Sequence, residues 1–110
     1  MRNLARIELL KGYCKEEPEN PFNFYALALE YRESNKSEAA ELFDFVLSEF
    51  PNYLPVYFPA AHFFYEEDKL QKAKQLFELG LALAHDLQDE KAKKELANSY
   101  QNFLFETDLE

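Results

Sequence analysis

The stretch FPNYLPVYFPAAHFF, residues 50–64, places prolines at positions 51, 55 and 59, one every four residues. Proline lacks the backbone N–H and clashes inside a helix, yet the sequence on both sides has helical periodicity. Upstream, Phe24, Leu27, Ala28 and Tyr31 fall at i, i+3, i+4 and i+7, and Ala39, Leu42, Phe43, Val46 and Phe50 continue the rule. Downstream, Leu70, Ala73, Leu76, Phe77, Gly80 and Leu83 repeat it, while Leu4, Ile7, Leu10 and Cys14 mark a first helix and Leu96, Tyr100, Phe103 and Leu104 a last one. No segment alternates as a strand does, so the spacing predicts an all-α chain of about six helices, near 2–16, 22–34, 37–50, 54–67, 70–86 and 89–106. Asn35 and Asp68 stand where helices should stop, EEPENP separates the first two helices, and Asp89 can cap the last. Short connections make sequence neighbours antiparallel.

Internal repetition explains the prolines. Ala39 and Ala73 are 34 residues apart, as are Phe43 and Phe77, and Phe24 and Tyr57 are 33 apart. This spacing resembles the tetratricopeptide repeat, in which an aromatic, Leu-Gly and Tyr on one helix are followed by Ala, an aromatic and a small residue on the next, closing with Pro. The first copy supplies Phe24, Leu27, Ala28, Tyr31, Ala39, Phe43, Val46 and Pro51; the second supplies Tyr57, Ala60, Ala61, Phe64, Ala73, Phe77 and Gly80, with His85 in place of the closing proline. Helix 2–16 then resembles the second half of a degenerate repeat, since Pro18 precedes Phe24 by six residues as Pro51 precedes Tyr57. Leu96, Ala97 and Tyr100 reproduce the first half of another, shifted late by the connection AHDLQDEK. The resemblance covers nearly the whole chain and is similar to small bacterial tetratricopeptide repeat proteins. It implies a right-handed α-solenoid of antiparallel helix pairs in a single domain over 1–110, with a half-repeat to 18, repeats over 22–51 and 54–86, and a capping helix over 89–106. Pro51 then closes a repeat and Pro55 occupies a first helical turn. For Pro59 a slight bend of helix 54–67 is the favoured expectation, the alternative being that the helix starts near Tyr57.

Composition narrows the function. Hydrophobic residues make up 47% of the chain, enough for a folded core, and the lone Cys14 cannot close an internal disulfide. No stretch resembles a signal peptide or an apolar membrane span, so a cytoplasmic location and no membrane contact are expected. Net charge is −9, concentrated between residues 16 and 68, where Arg32 and Lys36 are the only cations. Such a surface repels phosphate backbones, which argues against nucleic acid as a partner. Catalytic constellations are missing: Cys14 reads as a small buried hydrophobe, and His62 and His85 lie 23 residues apart without metal-ligand spacing. Neither Gly12 nor Gly80 belongs to a phosphate-cradling loop. We therefore expect no enzyme, no metal and no cofactor.

The resemblance implies instead a groove, lined by the first helix of each pair, that takes a peptide or helix of a partner protein. Repeat phase puts Phe22, Tyr25, Leu29 and Arg32 beside the core positions of the first copy, and Pro55, Phe58, Pro59, His62 and Tyr65 beside those of the second. The last helix would add Lys91, Lys94, Asn98 and Gln101. The carboxylate clamp of one subclass is not reproduced, because Tyr25, Leu29 and Glu95 stand where that clamp needs Lys, Asn and a cation. An adaptor binding a protein partner is one reading; a self-associating structural module, a homo-oligomer built through exposed aromatics such as those of NFLFE, is the other.

Overall fold

The computed structural model describes residues 4–109, and every regular element among them is helical. The α-helices are α1 (Leu4–Glu16), α2 (Pro21–Tyr31), α3 (Lys36–Glu49), α4 (Tyr57–Glu66), α5 (Leu70–Asp86) and α6 (Glu90–Thr107), with a 3-10 turn over Leu54–Val56. The first two residues of the expected helix 2–16 lie outside the described residues. The chain divides into two compact units, one up to Val56 and one from Tyr57.

In the first unit, the helix boundaries follow from side-chain caps. Pro21 opens α2, where its missing N–H has no intrahelical acceptor, and the Asn20 side chain accepts from the Phe22 N–H at 3.1 Å. Asn35 turns out to start α3: its Oδ1 accepts from the Glu38 N–H at 3.2 Å, while α2 ends at Tyr31. The core holds Ile7 and Leu10 of α1, Ala26, Leu27, Ala28 and Tyr31 of α2, and Ala39, Phe43 and Val46 of α3. Arg6 Nε donates to Glu30 at 2.9 Å, joining the start of α1 to the end of α2 as an antiparallel pair requires. One repeat position departs from expectation. Phe24 is only half-buried, its ring tilted against Phe45 with centroids 4.7 Å apart, and Asn23 is buried beside it.

Pro59 receives a definite answer. The α-helix begins at Tyr57, so Pro59 is its third residue and the N–H it lacks would have had no helical acceptor. The expected bend of a helix over 54–67 is therefore corrected to a 3-10 turn over Leu54–Val56, holding Pro55, followed by a new helix. The Val56 N–H closes this turn by donating to the Tyr53 carbonyl at 3.3 Å.

The second unit packs α4 and α6 on α5, around Tyr57, Ala60, Ala61, Phe63, Phe64, Ala73, Leu76, Phe77, Ala84, Leu96 and Phe103. Phe77 is fully buried and touches three rings: His62 (5.6 Å), Tyr100 (5.7 Å) and Phe103 (5.3 Å). Gly80 marks the closest approach, since a Cβ there would stand 2.9 Å from Tyr57 Cβ and 3.3 Å from a Leu96 methyl carbon. Both hairpin turns end their helix through a left-handed non-glycine residue. Asp68 has φ 64° with the Lys69 N–H donating to the Phe64 carbonyl at 2.8 Å, and Gln88 has φ 58° with the Asp89 N–H donating to the Ala84 carbonyl at 2.9 Å. These six-to-one bonds satisfy carbonyls that the helix end leaves open. Asp89 then caps α6 as expected, accepting from the Ala92 N–H at 3.0 Å.

Candidate functional site

The residues expected to face a partner fall in both units. In the first, Tyr25 and Leu29 of α2 are half-buried, and Arg32 is exposed just past its end. The Tyr25 ring meets Tyr53 edge-on at 5.7 Å and Phe22 at 6.5 Å, and Phe22 keeps 52% of its surface exposed. Burial pushes the Tyr25 hydroxyl up from the ordinary phenol range, with the nearby Arg32 charge opposing. The result is an aromatic edge with a protonated hydroxyl, suited to apolar contact and hydrogen-bond donation.

In the second unit, Phe58 is exposed, and Pro59, His62 and Tyr65 are half-buried along the same helix. The His62 ring lies 4.6 Å from Phe58 and 5.6 Å from Phe77, and its buried Nε2 has no hydrogen-bond partner among the described residues. Burial holds its pKa below the ordinary histidine value, the Glu66 carboxylate pulling weakly the other way. His62 is thus a neutral ring under Phe58. Tyr65 is committed within the fold: its hydroxyl donates to Glu106 at 2.5 Å and its ring sits 5.1 Å from Phe103. Lys94 and Asn98 are exposed on α6. On the opposite side of the chemistry, Tyr100 donates to Glu78 at 2.6 Å and Lys74 to the same carboxylate at 3.0 Å, which holds Glu78 below the usual carboxylate range.

Among the described residues no group of His, Cys, Asp and Glu could hold a metal ion, and no helix is long and apolar enough to cross a membrane. Cys14 is half-buried, not part of the core as the sequence suggested, and burial raises its thiol pKa. Sequence reading missed one feature altogether. A cleft of about 350 Å³ in the first unit is lined by Pro21, Glu49, Phe50, Pro51, Asn52 and Tyr53. The signal in the sequence is two prolines and two aromatics around a turn, and the prolines are equally explained by the chain breaks they make.

No protein-family model matches the chain, and no curated protein matches it. Solved structures do. The chain is similar to a tetratricopeptide repeat domain protein from Salinibacter ruber solved by solution NMR, at 28% identity and a TM-score of 0.74 over 84% of this chain and 92% of that one. A crystal structure of a tetratricopeptide repeat domain protein from the same organism matches at 26% identity and a TM-score of 0.71, over 76% of this chain and 96% of that one. The chain has the α-solenoid fold of paired helices, a class generally used for protein–protein interaction. Its 34-residue spacing fits this similarity to small bacterial tetratricopeptide repeat domain proteins.

Proposed function

We propose that the protein is a non-enzymatic adaptor that holds a peptide or helix of a partner protein against the first helices of its pairs. The observation that carries this reading is the surface of α4. Phe58 is exposed and its ring packs on His62 at 4.6 Å, which leaves apolar area open to a partner at one place. A partner side chain covering Phe58 would bury this area. Tyr25, Leu29 and Arg32 of α2 form a second contact region in this proposal, Pro59 and Tyr65 shape the α4 surface, and Lys94 and Asn98 add polar contacts from α6. The partner is a protein, with neither nucleic acid nor membrane involved and no cofactor, and the cytoplasm is its proposed location.

The test compares capture of partners from native extract by the parent, by Phe58→Ser with His62→Ala, and by Phe105→Ser. Phe105 is 87% exposed near the far end of α6 and serves as a control. Loss of specific partners with the first variant alone supports the reading; equal capture by all three proteins refutes it. One observation favours self-association as a second reading: Phe105, Leu79 and Leu87 are all exposed on the second unit. Sedimentation at two concentrations separates the readings, because a dimer that dissociates in Phe105→Ser would assign these side chains to a second copy.

A further inference from the structure

The cleft at the ends of α2 and α3 has a chemistry of its own. Its lining is two prolines, Pro21 and Pro51, two aromatic residues, Phe50 and Tyr53, and the polar Glu49 and Asn52. Phe22, Tyr25, Phe45 and Phe24 extend this aromatic surface on either side, linked by the Tyr25–Tyr53 contact at 5.7 Å and the Phe45–Phe50 contact at 6.2 Å. The Tyr53 hydroxyl and the Asn52 side-chain amide make no hydrogen bond among the described residues, and Glu49 makes no ion pair among them. Burial, with Tyr25 beside it, keeps the Tyr53 hydroxyl protonated and therefore a donor.

We propose that this cleft binds a proline-rich segment of a partner protein in the polyproline II conformation, flanked by arginine or lysine. Proline rings fit between flat aromatic and proline walls, and a polyproline II backbone carries carbonyl acceptors with no internal donors. Tyr53 and Asn52 supply donors for such carbonyls. Charge selects the flanks. Glu49 lines the cleft, the turn leading into Pro21 carries the exposed Glu17 and Glu19, and Arg32 and Lys36 are the only cations between Glu16 and Pro51. An acidic rim attracts a basic flank and repels an acidic one. A second copy of this chain is a poor occupant, because Pro18 and Pro21 sit in the acidic run EEPENP and Pro51, Pro55 and Pro59 in FPNYLPVYFP, which holds no cation. The cleft shares with the proposed function a protein partner, but it does not use Phe58 or His62.

A labelled oligoproline peptide with an arginine at each end tests the assignment by fluorescence anisotropy. Saturable binding is expected, weakened about tenfold by glutamate flanks, and absent for an arginine-flanked Gly-Ser peptide of equal length. Asn52→Ala and Tyr53→Phe, which leave the packing in place, should each weaken it about threefold or more, Glu49→Lys about tenfold, and Phe58→Ser should leave it unchanged. Equal binding of the Gly-Ser peptide would reduce the effect to charge and overturn the proposal, as would the absence of saturation or indifference to all three cleft variants. Dimerisation abolished by Glu49→Lys would overturn it in favour of a second copy. Loss of partners on α4 with peptide binding intact would separate failure of this proposal from failure of the α4 reading.

Discussion

Replacing Gly80 sets helix propensity directly against packing. Glycine in mid-helix costs about 1 kcal/mol relative to alanine, so Gly80→Ala should stabilise α5 by that amount if nothing approached it. A Cβ at this position would stand 2.9 Å from Tyr57 Cβ, a carbon fixed to the α4 backbone that no rotamer change can move. Ordinary carbon contacts begin near 3.5 Å, so the first turn of α4 would have to retreat by roughly 0.6 Å or more. The Leu96 methyls at 3.3 and 3.4 Å can shift more easily. Overpacking of this kind costs about 1–3 kcal/mol, which cancels or exceeds the propensity gain. With about 2.1 cal/mol/K of unfolding entropy per residue, each kcal/mol moves Tm by about 4 °C in a chain of this length. Gly80→Ala should thus melt between the parent Tm and about 8 °C below it, and Gly80→Leu lower still. Gly12 is the matched control: it lies within α1 and a Cβ there would meet nothing within 4 Å, so Gly12→Ala should raise Tm by about 4 °C. Thermal melts followed by circular dichroism decide the matter. A gain for Gly80→Ala as large as that for Gly12→Ala would refute the close crossing of α4 over α5.

Three further outcomes are expected. Because burial lowers the folded-state pKa of His62, the unfolded chain takes up its proton first on acidification; stability should therefore be constant above about pH 6.5 and fall below it until the lowered pKa is reached, a loss that His62→Gln removes in denaturant titrations across this window. The half-buried thiol of Cys14, with its raised pKa, should react with an aromatic disulfide more slowly in the folded protein than in denaturant, but not be fully protected as a core thiol would be. Gln88 occupies a left-handed conformation at the end of α5, so Gln88→Gly should relieve strain and raise stability by about 0.5–1 kcal/mol, measured by chemical denaturation.

Much of the fold was legible because periodicity and breaks agree. Ala39 and Phe43 in one copy and Ala73 and Phe77 in the other are fully buried where the 34-residue spacing puts them. Boundaries were less legible, since a single proline is compatible with several helical positions. Pro59 suits a third helical residue as well as a bend, and only the 3-10 turn ahead of Tyr57 decides between them. Asn35 can stop one helix or cap the next, and its bond to Glu38 selects the second. For the interaction surface, periodicity says which side of a helix faces away from the core and little about what neighbouring helices add. It could not show that Glu106 engages Tyr65, that Phe77 backs His62, or that Glu49 and Asn52 meet Pro21 across a cleft. Those depend on residues distant in sequence.

The central claim is that α4 presents a surface for another protein. A photo-reactive phenylalanine analogue placed at position 58, and separately at position 105, tests it in living cells. Cross-linking at position 58 to a defined set of other proteins, with little or none from position 105, is the result expected. Cross-links at position 58 only to further copies of this chain, or none at all, would contradict the account.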